Sequence, residues 1–169
     1  EEAFKRDIHF FFWLAEIAER KHRRLKPLEV VRTLKETTFF ELDLRLEAAA
    51  AAELATNMKR HNTGFRVPAV DWNLTSKRVL VIEWVDGIPL HDVEAIKAAG
   101  FSTEALLAKA AKSLFAQVFQ DGFFHADLHP GNLFVDKNGD LAAVDFGIMG
   151  RLDLKSRIYM AEILRGFLV

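Results

Sequence analysis

The sequence predicts a helix-rich α+β fold, and three observations carry that prediction. Helical spacing of apolar residues runs with little interruption from Ala3 to about His61. Short β-branched segments follow Gly64, and later two brief apolar runs, NLFVD and LAAVDF, flank the turn KNGD at 137–140. With 169 residues, half of them hydrophobic and 15 of them Phe, the chain is long enough for one packed core and too short for two ordinary domains.

Each element has its own signal. Residues 3–24 read as a helix, with Phe4, Ile8, Phe11, Phe12, Ala15 and Ala18 at helical spacing. Phe10, Trp13 and Ile17 broaden this stripe, which reads as a core face, or one awaiting a neighbour, ahead of a membrane-surface helix with so acidic a polar side. Pro27 suits the first turn of a second helix, expected to reach about His61 with a bend at the β-branched and aromatic patch TTFF, 37–40. EAAAAAELA at 47–55 combines high helix propensity with side chains small enough for close approach. RVPAVDW and RVLVIEWV, joined by NLTSK, predict an antiparallel pair, and DGIPL at 86–90 predicts a turn. Asp92 can cap a short helix to Ala98, and Ser102 or Thr103 can open another that points Leu106, Leu107, Ala110, Leu114, Val118 and Phe119 inward. A last helix is expected from about Leu154.

Composition removes several functions. A formal net charge of −1 argues against a general polyanion binder, and the basic run KHRRLK at 21–26 reads as a solvated helix end. No cysteine is present, so thiolate chemistry and disulfides are excluded. No apolar run approaches the roughly 18–20 residues that span a bilayer. The chain opens on EEAF and closes on RGFLV, and we expect a piece of a larger protein.

The chemistry concentrates in DGFFHADLHPGN, 121–132, and LAAVDFGIMGRL, 141–152. Phosphoryl transfer needs a group that orients the attacking hydroxyl and hard oxygen ligands for a magnesium ion bridging phosphates. Asp127 and, five residues on, Asn132 place a carboxylate and a carboxamide on one loop, and Asp145 of DFG follows after the hairpin. That is the D-x-x-x-x-N then D-F-G spacing of the protein-kinase catalytic loop. The hairpin is expected to return Asp145 beside Asn132, so that both ligate one magnesium. His125, Asp127 and His129 could instead bind zinc, but His9, His22, His61 and His91 form no second cluster to complete such a site. His125 reads as structural, Pro130 and Gly131 as shaping the turn, and His129 remains open between roles.

GFFHADLHPGNLFV followed by VDFGIMGRL resembles the UbiB family of atypical protein-kinase-like proteins, which support ubiquinone biosynthesis. FFELDLRLEAAAAAE resembles that family's E-x-D motif and helix C glutamate, and VLVIEWVDGIPL resembles its hinge; the likeness runs from Phe4 to Leu168. The resemblance implies a truncated protein-kinase-like fold holding helix C, part of the small lobe and the catalytic half of the large lobe. Residues 1–85 would be small-lobe helices, strands and hinge, and 86–169 the large-lobe portion. Glu41 and Asp43 would be the E-x-D pair, Glu47 the helix C glutamate that pairs with the phosphate-binding lysine, and Asp127 the catalytic aspartate. Asn132 and Asp145 would be metal ligands, and the Glu83, Trp84 and Val85 backbone would face the adenine of ATP. On a regular helix Asp43 and Glu47 share a face, whereas Glu41 lies about two hundred degrees from Asp43, so the pair needs a distortion there.

Against the family pattern, the chain lacks the alanine-rich nucleotide-covering loop, the third-strand lysine and the K-x-G-Q motif, and has Leu128 where members commonly carry proline. Without that lysine this piece is expected to bind ATP poorly, and the parent would be the enzyme. The resemblance implies ATP and Mg2+ as cofactors, with ubiquinone-pathway proteins or lipid precursors as partners and no nucleic acid. It also implies a place at the cytoplasmic side of the inner membrane, reached through segments outside this chain. Two other readings stay open: a small-molecule kinase of the aminoglycoside-phosphotransferase type, and a nucleotide-binding pseudokinase scaffold.

Overall fold

The computed structural model describes the backbone of residues 2–21 and 23–168, and the side chains of these except 2–5, 23, 39–41 and 168. The chain divides into two compact units between residues 43 and 44.

The first unit is a pair of helices, α1 (Glu2–Lys21) and α2 (Pro27–Glu41), joined through a single 3-10 turn at Arg23–Leu25. Pro27 takes the first position of α2, where its missing N–H is no loss. The Glu19 carboxylate on α1 accepts the Leu28 N–H at 3.1 Å, satisfying an amide that the start of a helix leaves unpaired. Ile8 and Ala15 are buried where α1 runs along α2. The broad stripe is not all core: Phe10, Phe11, Trp13, Leu14 and Ile17 are exposed. The physical reason is simple, since one partner helix covers only one face.

The helix expected to run on towards His61 is interrupted at Leu42 and Asp43, just past the TTFF patch, and α3 begins at Leu44. Asp43 therefore precedes α3 and does not stand four places before Glu47 on one regular helix. β-branched and aromatic side chains weaken helix there, while the alanine run restores it.

The second unit opens with α3 (Leu44–Met58), which buries Ala48, Ala51, Leu54, Asn57 and Met58 at helical spacing. A four-stranded sheet has the order β1 (Phe65–Arg66), β5 (Leu141–Ala143), β4 (Leu133–Asp136), β2 (Gly87–Pro89). β1 is parallel to β5, and the other pairs are antiparallel. Two shorter strands, β3 (Phe123–His125) and β6 (Met149–Arg151), pair antiparallel with His125 opposite Met149. Leu54, Phe65, Ile96, Leu106, Leu133, Val135, Leu141 and Phe146 form the centre of one core.

Three expectations need correction. DGIPL is not a turn but contains edge strand β2, where Pro89 is tolerated and Gly87 approaches Val135 O so closely that a Cβ would lie 2.8 Å from it. The pair at 66–85 exists only as isolated bridges, Val70 to Ile82 and Ser76 to Val79. Leu107 does not face inward; it is exposed, because the buried side of α5 (Thr103–Phe115) is set by Leu106 and Ser113. The caps match expectation: Asp92 accepts the Ala95 N–H to open α4 (Val93–Ala98), and Ser102 accepts the Ala105 N–H to open α5. α6 spans Leu154–Leu168.

Candidate active site

Between β3 and β4 the chain forms a short loop and a 3-10 turn, Pro130–Asn132. His129 caps that turn, its Nδ1 accepting the Gly131 N–H at 3.0 Å, while its carbonyl accepts the Asn132 N–H at 3.0 Å. These bonds fix where Asn132 leaves the turn. β4 then pairs with β5, and one step further the Val144 N–H donates to the Asn132 carbonyl at 2.9 Å. The hairpin thus returns Val144, the residue before Asp145, to Asn132.

A buried histidine ties the same parts together from beneath. His125 Nδ1 accepts the Asp127 N–H at 3.2 Å, so the proton sits on Nε2, which donates to the Asp145 carbonyl at 2.6 Å. His125 is 2% exposed, and burial pushes its pKa below the ordinary 6.5 despite the nearby Asp145 carbonyl and the Asp145 and Asp127 carboxylates. The neutral ring is the one that fits, since a protonated Nδ1 cannot accept. A depressed folded-state pKa gives stability that is full above about pH 6.5 and is lost as pH falls through the lowered value. Urea midpoints at pH 7.5 and 5.5 should fall more for the wild type than for His125→Gln; equal falls would contradict this role.

Asp145 has φ of +69°, a left-handed conformation that non-glycine residues adopt at a cost and that recurs at functional sites. Its Oδ1 accepts the Gly147 N–H at 3.2 Å. Glu47 on α3 accepts the Phe146 N–H at 3.0 Å, across 99 residues of sequence. This gives Glu47 a partner on the DFG segment itself. Asn132 turns Nδ2 towards the Asp127 carbonyl at 3.4 Å, which directs its Oδ1 away from that carbonyl. A carboxamide oxygen and a carboxylate suit a hard divalent cation such as magnesium, and the donor set fits it. Asp127 is half-buried and Asp145 exposed.

The Glu83 carboxylate pairs with Arg66 at 2.8 Å and accepts the Ala69 N–H at 3.3 Å. The Arg66 bond, helped by that amide, holds its pKa below the ordinary carboxylate value. Trp84 is 86% exposed and Val85 half-buried. A cleft of about 560 Å3 opens on this hairpin, lined by residues that include Asp71, Trp72, Asn73 and Glu83 and by none of Asp127, Asn132 or Asp145. The Glu41 side chain lies outside the described residues, and Asp43 ends the first unit. Among the described residues, no group of three or more His, Cys, Asp or Glu is placed to hold a metal ion.

Sequence reasoning missed the support beneath the loop. Gln117 and Ser113 are fully buried; Gln117 Oε1 accepts the His125 N–H at 3.0 Å and its Nε2 donates to Ser113 Oγ at 3.0 Å. Gln117 lies in a π-helical segment, Ala116–Asp121, that ends at Gly122 with φ of +67°. A polar residue amid an apolar helix face was the only available signal.

The chain matches the ABC1 atypical kinase-like domain over residues 1–169. A probable protein kinase UbiB of Marinobacter nauticus is 39% identical over 174 residues, covering 99% of this chain and 32% of the relative. A protein of the same name from Pseudomonas aeruginosa is 40% identical, covering 99% of this chain and 32% of its own length. The chain thus spans about a third of the curated relatives it matches. Among solved structures, the complex of Rv3197 with erythromycin from Mycobacterium tuberculosis aligns with 72% of this chain and 30% of that one, at 33% identity and a TM-score of 0.54. No described helix is long and apolar enough to cross a membrane.

Proposed function

This chain belongs to the ABC1 atypical kinase-like family, and from that premise we propose that it carries the catalytic loop and metal ligands of an ATP-dependent kinase or ATPase acting in ubiquinone biosynthesis. Asp127 orients the attacking hydroxyl and takes its proton on the carboxylate. Asn132 and Asp145 would hold magnesium, whose positive charge would offset that of the phosphates. Glu47 steadies the DFG segment through the Phe146 amide, and the Glu83–Val85 backbone faces the adenine. Glu41 and Asp43 serve as the E-x-D pair. Residues 1–85 form small-lobe elements and 86–169 the large-lobe portion. The full-length protein contacts the cytoplasmic side of the inner membrane through segments outside this chain.

The observation that carries this reading is a single imidazole, His125, joining the backbone of Asp127 to that of Asp145. Such a joint keeps a would-be base and a would-be metal ligand in fixed register, which positioning-dominated chemistry requires. The test is ADP release from ATP by the full-length protein. Release that requires magnesium supports the proposal, and release that is absent or unchanged in EDTA overturns it.

A further inference from the structure

α3 reaches the segment that follows Asp145 at two points. One is Glu47 on the Phe146 N–H. The other is Glu53, whose two carboxylate oxygens receive the two terminal nitrogens of Arg151 at 2.8 and 2.5 Å. Glu47 and Glu53 are six residues apart, about 9 Å along the helix axis. The helix is already seated by its buried face, Ala48, Ala51, Leu54 and Met58. The two attachments, separated by that length, add fixed points against its rotation and its slide.

Arg151 is anchored on its other side as well. Its guanidinium lies 4.3 Å from the centre of the Phe123 ring, and Phe123 is a buried β3 residue, two positions before His125. β6 cannot shift easily against β3, because Gly150 is packed so tightly on Phe124 that a Cβ would come within 2.2 Å of the ring. Arg151 therefore joins three elements: α3, the strand leading into the Asp127 loop and the strand leaving Asp145. An isolated exposed ion pair contributes little, but a bidentate fork held over an aromatic ring loses less freedom on forming and is geometrically specific.

We propose that Arg151 and Glu53 are positioning residues that clamp α3 to β6 and so keep Glu47 on the Phe146 amide, an inference that rests on the function proposed above. Neither residue touches the reacting atoms. Their effect passes through α3 to Glu47, and through β6 to the turn that sets Asp145.

The test reads that coupling at one amide. In the full-length protein, Glu53→Gln and Arg151→Gln should each speed hydrogen exchange of the Phe146 N–H about five- to tenfold. Exchange of the Val135 and Leu141 amides in the central sheet should stay unchanged. The double variant Glu53→Arg with Arg151→Glu, which keeps an opposite-charge pair, should return Phe146 most of the way to the wild-type rate. Unchanged Phe146 exchange in both single variants, or an equal acceleration at Val135 and Leu141, overturns the clamp. Magnesium-nucleotide binding by the wild type is followed alongside. Its absence would overturn the proposed function, while the exchange rates alone decide the clamp.

Discussion

Asp145→Asn in the full-length protein should lower magnesium-dependent ADP release at least about a hundredfold while changing stability by no more than about 1 kcal/mol. The substitution is selective for a physical reason. Asp145 sits at φ of +69°, and asparagine is among the few residues that accept the left-handed region readily. An amide oxygen can also keep the Gly147 N–H that Asp145 Oδ1 accepts. The His125 bond to the Asp145 carbonyl is a backbone contact and survives. What is lost is the negative charge, and with it the stronger of the two proposed magnesium ligands. ADP release by Asp145→Asn at the wild-type rate, with the fold intact, would contradict the metal assignment.

Phe146→Ala should produce the largest loss of stability, about 3–5 kcal/mol, which is a substantial part of what holds a domain of this size together. Phe146 is 1% exposed and belongs to the same core as Leu54 of α3 and Leu133 of β4. Its ring also lies 5.7 Å from the His125 ring, tilted by 58°. Removing it opens a cavity between helix and sheet and leaves the histidine without that neighbour. Urea unfolding followed by far-UV circular dichroism measures the loss. A change below about 1 kcal/mol would mean that the ring is not the centre of this core.

How much of this was legible in the sequence depends on how far apart the partners are. The Asp127–Asn132 loop, the hairpin behind it and the return to Val144 lie within one short stretch, where the local turn and the β4–β5 pairing act over few residues. Asp92 and Ser102 act as caps because capping is decided within three residues. What escaped were contacts whose register is set by tertiary packing. Glu47 meets Phe146 across 99 residues and Glu53 meets Arg151 across 98, with no local pattern to announce either. Gly87–Pro89 reads as a turn because its glycine and proline are turn residues, yet β4 supplies a strand partner. Gln117 has no sequence mark beyond its polarity. Helical spacing identifies the aromatic stripe on α1, but spacing does not say which part of it a partner covers.

In the proposed site Asn132 and Asp145 share one divalent ion beside a nucleotide's phosphates. Paramagnetic manganese in place of magnesium reads this directly, through the nuclear resonances it broadens in the full-length protein. On adding Mn-ATP, the side-chain amide of Asn132 and the backbone amide of Phe146 should broaden first, and Asp145→Asn should weaken the effect. Broadening centred on the 69–83 hairpin instead, with Asn132 and Phe146 unaffected, would contradict the account.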